Sequence, residues 1–316
     1  MKRRQQTRDP YPTSVAFRQA KRYLNPTMIQ TPLALEHQGI INEKLDAIGL
    51  HLSEFSYPNL YLFRNRHEYH TVETPNGFFI SGVTYDRKKY LMPMASPNKV
   101  GEDCFNELKK LLHTRNWSFL FPIPQAWLDC FDEDEFAISS NSDDTDYLYI
   151  TEKFKTYPGK SMHRKKNLLN QFVNNNKSQL IPLNSDIKQH AREVLEQWQK
   201  NTPQEFYQND YIQCVEAIEE YQILNLTSAL AYANGKPIGL IIGEPLNQDT
   251  FIIHFAKANI EVKGAYQYLF SQFARDFCPD YKYINLEQDL GNESLRKTKI
   301  SYRPDLMNQK FRVSIK

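Results

Sequence analysis

Two carboxylates close together, Glu287 and Asp289, stand in the segment Asn285-Leu286-Glu287-Gln288-Asp289-Leu290-Gly291-Asn292. Strand alternation sends Asn285, Glu287 and Asp289 to one face and Ile284 and Leu286 to the other, so a strand end here can present a base to an attacking hydroxyl or amine. A structural use is also open, with Asp289 or Asn292 capping the helix that follows. That next stretch, Ser294 to Pro304, carries Arg296 and Lys299 three residues apart, on one face if it is helical. Facing a strand-end carboxylate, they can hold a phosphate or stabilise a developing oxyanion, or they can neutralise Glu287 and Asp289 as a structural ion-pair network. A third segment, Tyr157 to Phe172, sets His163, Lys166, Asn167 and Asn170 on one face of a helix whose other face carries Met162, Leu169 and Phe172. With Arg164 and Lys165 beside them, these groups suit an anion, and a solvated helix face explains them equally well.

The elements that must position these groups follow from periodicity. Strand signals at Leu60–Phe63, Tyr69–Glu73, Phe78–Thr84 and Lys89–Met94 predict an antiparallel meander, followed by a helix over Val100–His113 and an apolar run Trp117–Ile123. After helices over Asp186–Lys200 and Glu205–Tyr221, strands are expected at Leu226–Tyr232, Pro237–Gly243 and Thr250–Ala256, then a helix Ala265–Phe277 and a strand Tyr281–Leu286. The order meander, helix, strand therefore occurs twice. Two α/β domains with mixed sheets are predicted, divided as a basic arm at 1–38, a first domain at 39–156 and a second at 157–316, with the helix near Pro158 joining them.

Composition narrows the chemistry. Among 316 residues, 39 Lys and Arg offset 37 Asp and Glu, so no global field draws in a polyanion. Charge is instead sorted into blocks. Residues 1–22 carry seven bases and one acid, 131–146 seven acids and no base, and 296–316 seven bases and one acid. The acidic block reads as a solvated loop. Eleven glycines form none of the dinucleotide, P-loop or nucleophile-elbow motifs. The four cysteines are far apart and His67-Glu68-Tyr69-His70 lacks zinc spacing, so no metal site is expected and a reducing, cytoplasmic setting fits. No apolar run reaches the ~20 residues of a membrane span.

Leu52-Ser53-Glu54-Phe55-Ser56-Tyr57-Pro58-Asn59-Leu60-Tyr61, Asp146-Tyr147-Leu148-Tyr149, Gly159-Lys160 with Lys165-Lys166-Asn167, and above all Asn285 to Gly291 with Leu295 to Pro304 resemble the soluble bacterial proteins grouped with the C-terminal domain of phosphatidylglycerol lysyltransferase. The resemblance runs from about residue 40 to the C-terminus. It implies two GNAT-like (acetyltransferase-like) domains in one chain, and transfer of an aminoacyl group from aminoacyl-tRNA to a hydroxyl or amine. In that reading Glu287, Asp289, Arg296, Lys299 and Tyr302 form the catalytic set. His163, Arg164, Lys165, Lys166, Asn167, Asn170, Lys263 and Gly264 bind the donor, and no cofactor is permanently held.

The acceptor is a small molecule, a lipid head group or a peptide. With no membrane part in the chain, a lipid would be met from the surface, with the basic arm in peripheral contact. The fold also raises acyl-CoA as donor. However, the pyrophosphate loop expected there reads Glu261-Val262-Lys263-Gly264-Ala265-Tyr266, with an acid and a bulky ring where a basic or polar and a small residue belong, and Ser96 to Gly101 is no better. A non-catalytic binding protein on a transferase fold is the remaining alternative.

Overall fold

A computed structural model describes residues 28–114 and 116–316. The basic stretch at 1–22, with most of the arm expected at 1–38, lies outside these residues. The first half supplies β1 (Ile29–Pro32), α1 (Gln38–Ile48), α2 (Tyr57–Phe63), β2 (His70–Thr74), β3 (Gly77–Val83), β4 (Lys89–Pro93), α3 (Glu102–His113), β5 (Phe119–Pro124), β6 (Phe136–Ser140), β7 (Asp146–Ile150) and α4 (Thr151–Thr156). The second supplies α5 (His163–Asn175), β8 (Ser178–Pro182), α6 (Lys188–Lys200), α7 (Tyr211–Glu220), β9 (Thr227–Ala233), β10 (Lys236–Pro245), β11 (Thr250–Ala258), α8 (Ala265–Asp276), β12 (Tyr283–Asn285), α9 (Glu293–Ser301), β13 (Leu306–Asn308) and β14 (Lys310–Ile315).

These strands form two seven-stranded mixed sheets flanked by helices, ordered β1-β2-β3-β4-β5-β14-β6 and β13-β7-β12-β11-β10-β9-β8. Each is a meander closed by one parallel pair, β4 with β5 and β11 with β12, around a crossover helix. This is the two-fold GNAT-like architecture. The sheets do not divide at 156/157, however. β7, from the first half, lies between β12 and β13, and β14, from the second half, lies between β5 and β6. Each exchanged strand is thereby paired on both edges inside the sheet of the other half.

Two expectations need correction. Leu60–Phe63 is the end of α2, not a strand: Ser56 caps it by accepting from the Asn59 backbone, Pro58 sits in the first turn, and burial on every side erases the helical period. The acidic block is not merely a loop. It contains β6, and Asp143, Asp144 and Asp146 pair with Arg296, Arg312 and Lys310.

The exchange leaves the halves with a common interior. Along β9 and β10, Leu230, Tyr232, Leu240 and Ile242 turn toward the helices α2, α6 and α7 and join the core of the first sheet, while Ala229, Ala231 and Ile241 face α5 and α8. Phe63 of α2 stacks on Phe255 of β11 across the junction, with ring centroids 6.2 Å apart.

Beside this apolar contact lies a fully buried ammonium. Lys310, at the start of β14, meets Asp146 at 2.8 Å and Glu54 at 2.7 Å, and donates to Ser53 Oγ and Gln288 Oε1. Lys310→Met would leave two buried carboxylates facing each other. The expected loss is about 3–5 kcal/mol of unfolding free energy in urea, and restoration of the charge by Lys310→Arg should recover only part of it, because the pocket fits a point charge.

Candidate active site at the junction of the sheets

The junction is shaped by backbone that few side chains tolerate. After β12 the chain turns through Glu287 (φ 58°), Leu290 (φ 55°) and Gly291 (φ 76°). Three bonds hold this turn: the buried Lys299 ammonium donates to the carbonyls of Leu286, Glu287 and Gln288 at 2.6, 3.0 and 2.5 Å. Strained φ values of this kind persist where surroundings over-determine them. The result is that the Glu287 side chain projects into a cleft of about 50 Å³ lined also by Glu54, Asn59, His67, Tyr85 and Asp144.

Glu287 Oε1 accepts from Asn59 Nδ2 at 2.9 Å and from His254 Nδ1 at 2.8 Å. The other ring nitrogen of His254, Nε2, is 3.0 Å from Glu244 Oε1, and the imidazole is shut off from solvent. Burial by itself lowers the affinity of this ring for a proton. The two hydrogen-bonded carboxylates more than reverse that and raise its pKa to about 9. His254 is therefore an imidazolium at neutral pH, donating from both nitrogens.

Glu54 differs. Burial pushes its carboxyl up to about 7, against the pull of Lys310 and with a further push from Asp146, so it can carry a proton near neutrality. His67 is driven down to about 4, chiefly by burial. Its Nδ1–H donates to the Val83 carbonyl at 2.7 Å, which leaves Nε2 as an acceptor.

Of the groups expected from sequence, Glu287, Asp289, Arg296 and Lys299 meet around the turn after β12, with different duties, whereas Tyr302 and the groups of α5 are not among the residues lining the cleft. Asp289 is buried and takes two bonds from Arg296 (2.7 and 2.6 Å) and one from the Tyr147 hydroxyl (2.5 Å). Burial alone would raise its pKa, but these bonds hold it below the usual carboxylate range. Asp289 and Arg296, which also grips Asp143, are thus a brace and not a free base and cation. Lys299 has its ammonium occupied by carbonyls, so it does not face an anion.

Tyr302 is buried, its hydroxyl accepting from Gln267 and its ring lying 3.7 Å beneath the Lys165 ammonium. Lys165 also donates to Ser301 Oγ at 2.7 Å, so α5 touches the end of α9. Burial lowers its pKa to about 8, helped by Arg164. His163, Arg164, Lys166, Asn167 and Asn170 remain exposed on α5, and Lys263 is exposed nearby in the chain order before α8.

Gly264 is not an open phosphate loop. Its φ is 86°, and a Cβ there would lie 2.4 Å from the Leu168 carbonyl oxygen and 2.9 Å from Phe172 Cβ. Close contact between α5 and the start of α8 explains this glycine.

Sequence reasoning missed Glu244, His254 and Glu54 as site residues. His254 sits in the apolar strand Phe251-Ile252-Ile253-His254-Phe255, where a titratable ring must find polar partners, and that was the available signal.

Two measurements test this geometry. Gly264→Ala should cost roughly 2 kcal/mol or more in denaturant unfolding, from backbone strain and overlap together. For His254, the folded-state pKa exceeds the unfolded value of 6.5, so its stabilisation is complete below about pH 6.5 and disappears as pH rises to about 9. The corresponding fall is roughly 3 kcal/mol, and His254→Asn should flatten unfolding free energy across that window.

The relatives agree with this architecture. An uncharacterized protein of Mycoplasmoides gallisepticum is 28% identical over 178 residues, covering 54% of this chain and 56% of that protein. The chain thus matches a little over half the length of that relative. A conserved protein of unknown function from Bacteroides thetaiotaomicron superposes with a TM-score of 0.80 at 23% identity, over 92% of this chain and 100% of that one. L-PGS from Bacillus licheniformis superposes at 0.57 and 14% identity, over 90% of this chain and 92% of its own. Residues 46–314 match the family described as phosphatidylglycerol lysyltransferase, C-terminal, and the chain belongs to that family.

Proposed function

We propose that the protein transfers an aminoacyl group from aminoacyl-tRNA to a hydroxyl or amine acceptor in the cleft at the sheet junction. Family and fold support a transferase of the lysyltransferase-like, acyl-transferring kind. The observation that carries the finer reading is Glu287, the carboxylate of the 285–291 segment that opens into the cleft, fixed there by Asn59 and His254.

Among the described residues Glu287 Oε2 has no hydrogen-bond partner, so it can receive a proton. The acceptor's oxygen or nitrogen bonds to the ester carbonyl carbon as its proton passes to Glu287. The bond to the tRNA 3′ oxygen then breaks, and Glu287 passes the proton it has taken on to the leaving oxygen. His254 keeps its positive charge next to Glu287 and holds that side chain in place. Carboxylates around the cleft suit the ammonium of an aminoacyl group. The exposed bases of α5 suit the donor's phosphates, which Lys and Arg grip without reading sequence.

Acyl-CoA receives less support, because α5 packs against Gly264 where a pyrophosphate loop would need open backbone. The acceptor can be a small amine, a peptide or a lipid head group reached from the membrane surface. Among the described residues no helix is long and apolar enough to cross a membrane.

The test is transfer of radiolabelled amino acids from a mixed pool of aminoacyl-tRNAs to lipid, peptide and amine acceptors. Glu287→Gln should reduce transfer at least ~100-fold while circular dichroism shows the fold retained. Replacing Arg164 and Lys166 together by Ala should weaken tRNA binding and make its salt dependence shallower by about one to two ion equivalents. Turnover of acyl-CoA with no transfer from any aminoacyl-tRNA would overturn the donor.

A further inference from the structure

The His254 ring is shared by two carboxylates that look into different spaces. Glu287 faces the cleft, whereas Glu244 lines a second cavity of about 210 Å³ between α1, the loop before α2 and the end of β10. Glu244 is 9% exposed, and its Oε1 accepts from both His254 Nε2 and the Ser56 hydroxyl. Among the described residues its Oε2 has no hydrogen-bond partner, so a mostly buried carboxylate that lines the cavity keeps one oxygen open for a further bond.

The walls decide the sign and size of what fits. Asp46 adds a second carboxylate, Asn42 and Asn225 add amides, Leu45 and Leu224 add apolar surface, and among the described residues no Lys, Arg or His lines the space. A carboxylate oxygen open to a confined, partly apolar space is best met by a donor that carries positive charge. The volume lies below the roughly 300–1,000 Å³ of drug-sized sites, which limits the guest to a short chain.

We propose that this second cavity binds a small organic cation, a primary ammonium on a short aliphatic stem, with the ammonium on Glu244 Oε2 and the stem against Leu45 and Leu224. The site is separate from the cleft and does not depend on which donor the cleft accepts. It does communicate with it, since a cation on Glu244 competes for the carboxylate that His254 also holds, and His254 in turn positions Glu287.

The experiment titrates butylammonium chloride into the full chain by calorimetry, with 1-butanol as the uncharged control. Saturable binding with a dissociation constant of roughly 1 mM is expected, with butanol at least ~10-fold weaker. Glu244→Gln should weaken the amine by ~10-fold or more, and Asn42→Phe, which fills the cavity and leaves Glu244 intact, should abolish binding while circular dichroism stays unchanged. Tyr85→Leu, which alters the wall of the other cleft, should leave the affinity within about twofold. Equal binding of butanol, no saturable binding, or full affinity in Asn42→Phe would each overturn the proposal. So would loss of binding in Tyr85→Leu, which would put the amine in the cleft. If Glu244→Gln fails to fold, Asn42→Phe decides.

Discussion

The structure depends on one ammonium shut off from solvent. Lys310 is sealed among Glu54 from the lead-in to α2, Asp146 at the start of β7, and Gln288 from the turn after β12. A lysine in that position stays charged only while its partners surround it, and the partners come from segments far apart in the chain. Burial opposes its charge, and Asp146 and Glu54 restore it, so its pKa is raised. Three consequences follow: β14 is pinned into the first sheet, the 285–291 turn is held against the junction, and Glu54 is left as the excess carboxyl with a pKa near neutrality.

Electrostatics then separates groups that look alike in sequence. Asp289 and Glu287 are two residues apart, yet the first is saturated by Arg296 and Tyr147 and stays ionised, while the second has one oxygen fixed and one open. Lys299 and Lys310 are both buried cations, but one ties together carbonyls of a turn and the other balances carboxylates. What each can do depends on how many of its bonds are already made, and that is a property of the assembled neighbourhood.

Much of the fold was legible because it is local. Alternation in β9 to β11 and the Asn234-Gly235 turn announce the second meander, and the helical spacing of Leu108, Leu111 and Leu112 announces α3. Segments buried on all sides were not, since Leu60–Phe63 of α2 is an apolar run that matches a strand as well as a helix. The site was legible in part for the same reason. Glu287 was visible in its motif, but its partnership with His254 and Glu244 joins strand-interior residues to a distant turn, and no spacing rule encodes a contact of that range. The exchange of β7 and β14 was likewise hidden, because strand periodicity says which face is buried and not which sheet receives it.

The placement of β14 bears on how the molecule comes into being on the ribosome. Residues 310–315 form an internal strand of the first sheet, flanked by β5 and β6, which are made almost two hundred residues earlier. During synthesis that sheet must wait with an unfilled slot and two bare edges until those residues emerge, a delay of roughly ten seconds or more at ~5–20 residues per second. A nascent chain of this design is exposed to edge-to-edge association for that interval, and any premature stop before residue 310 would leave the gap permanently open.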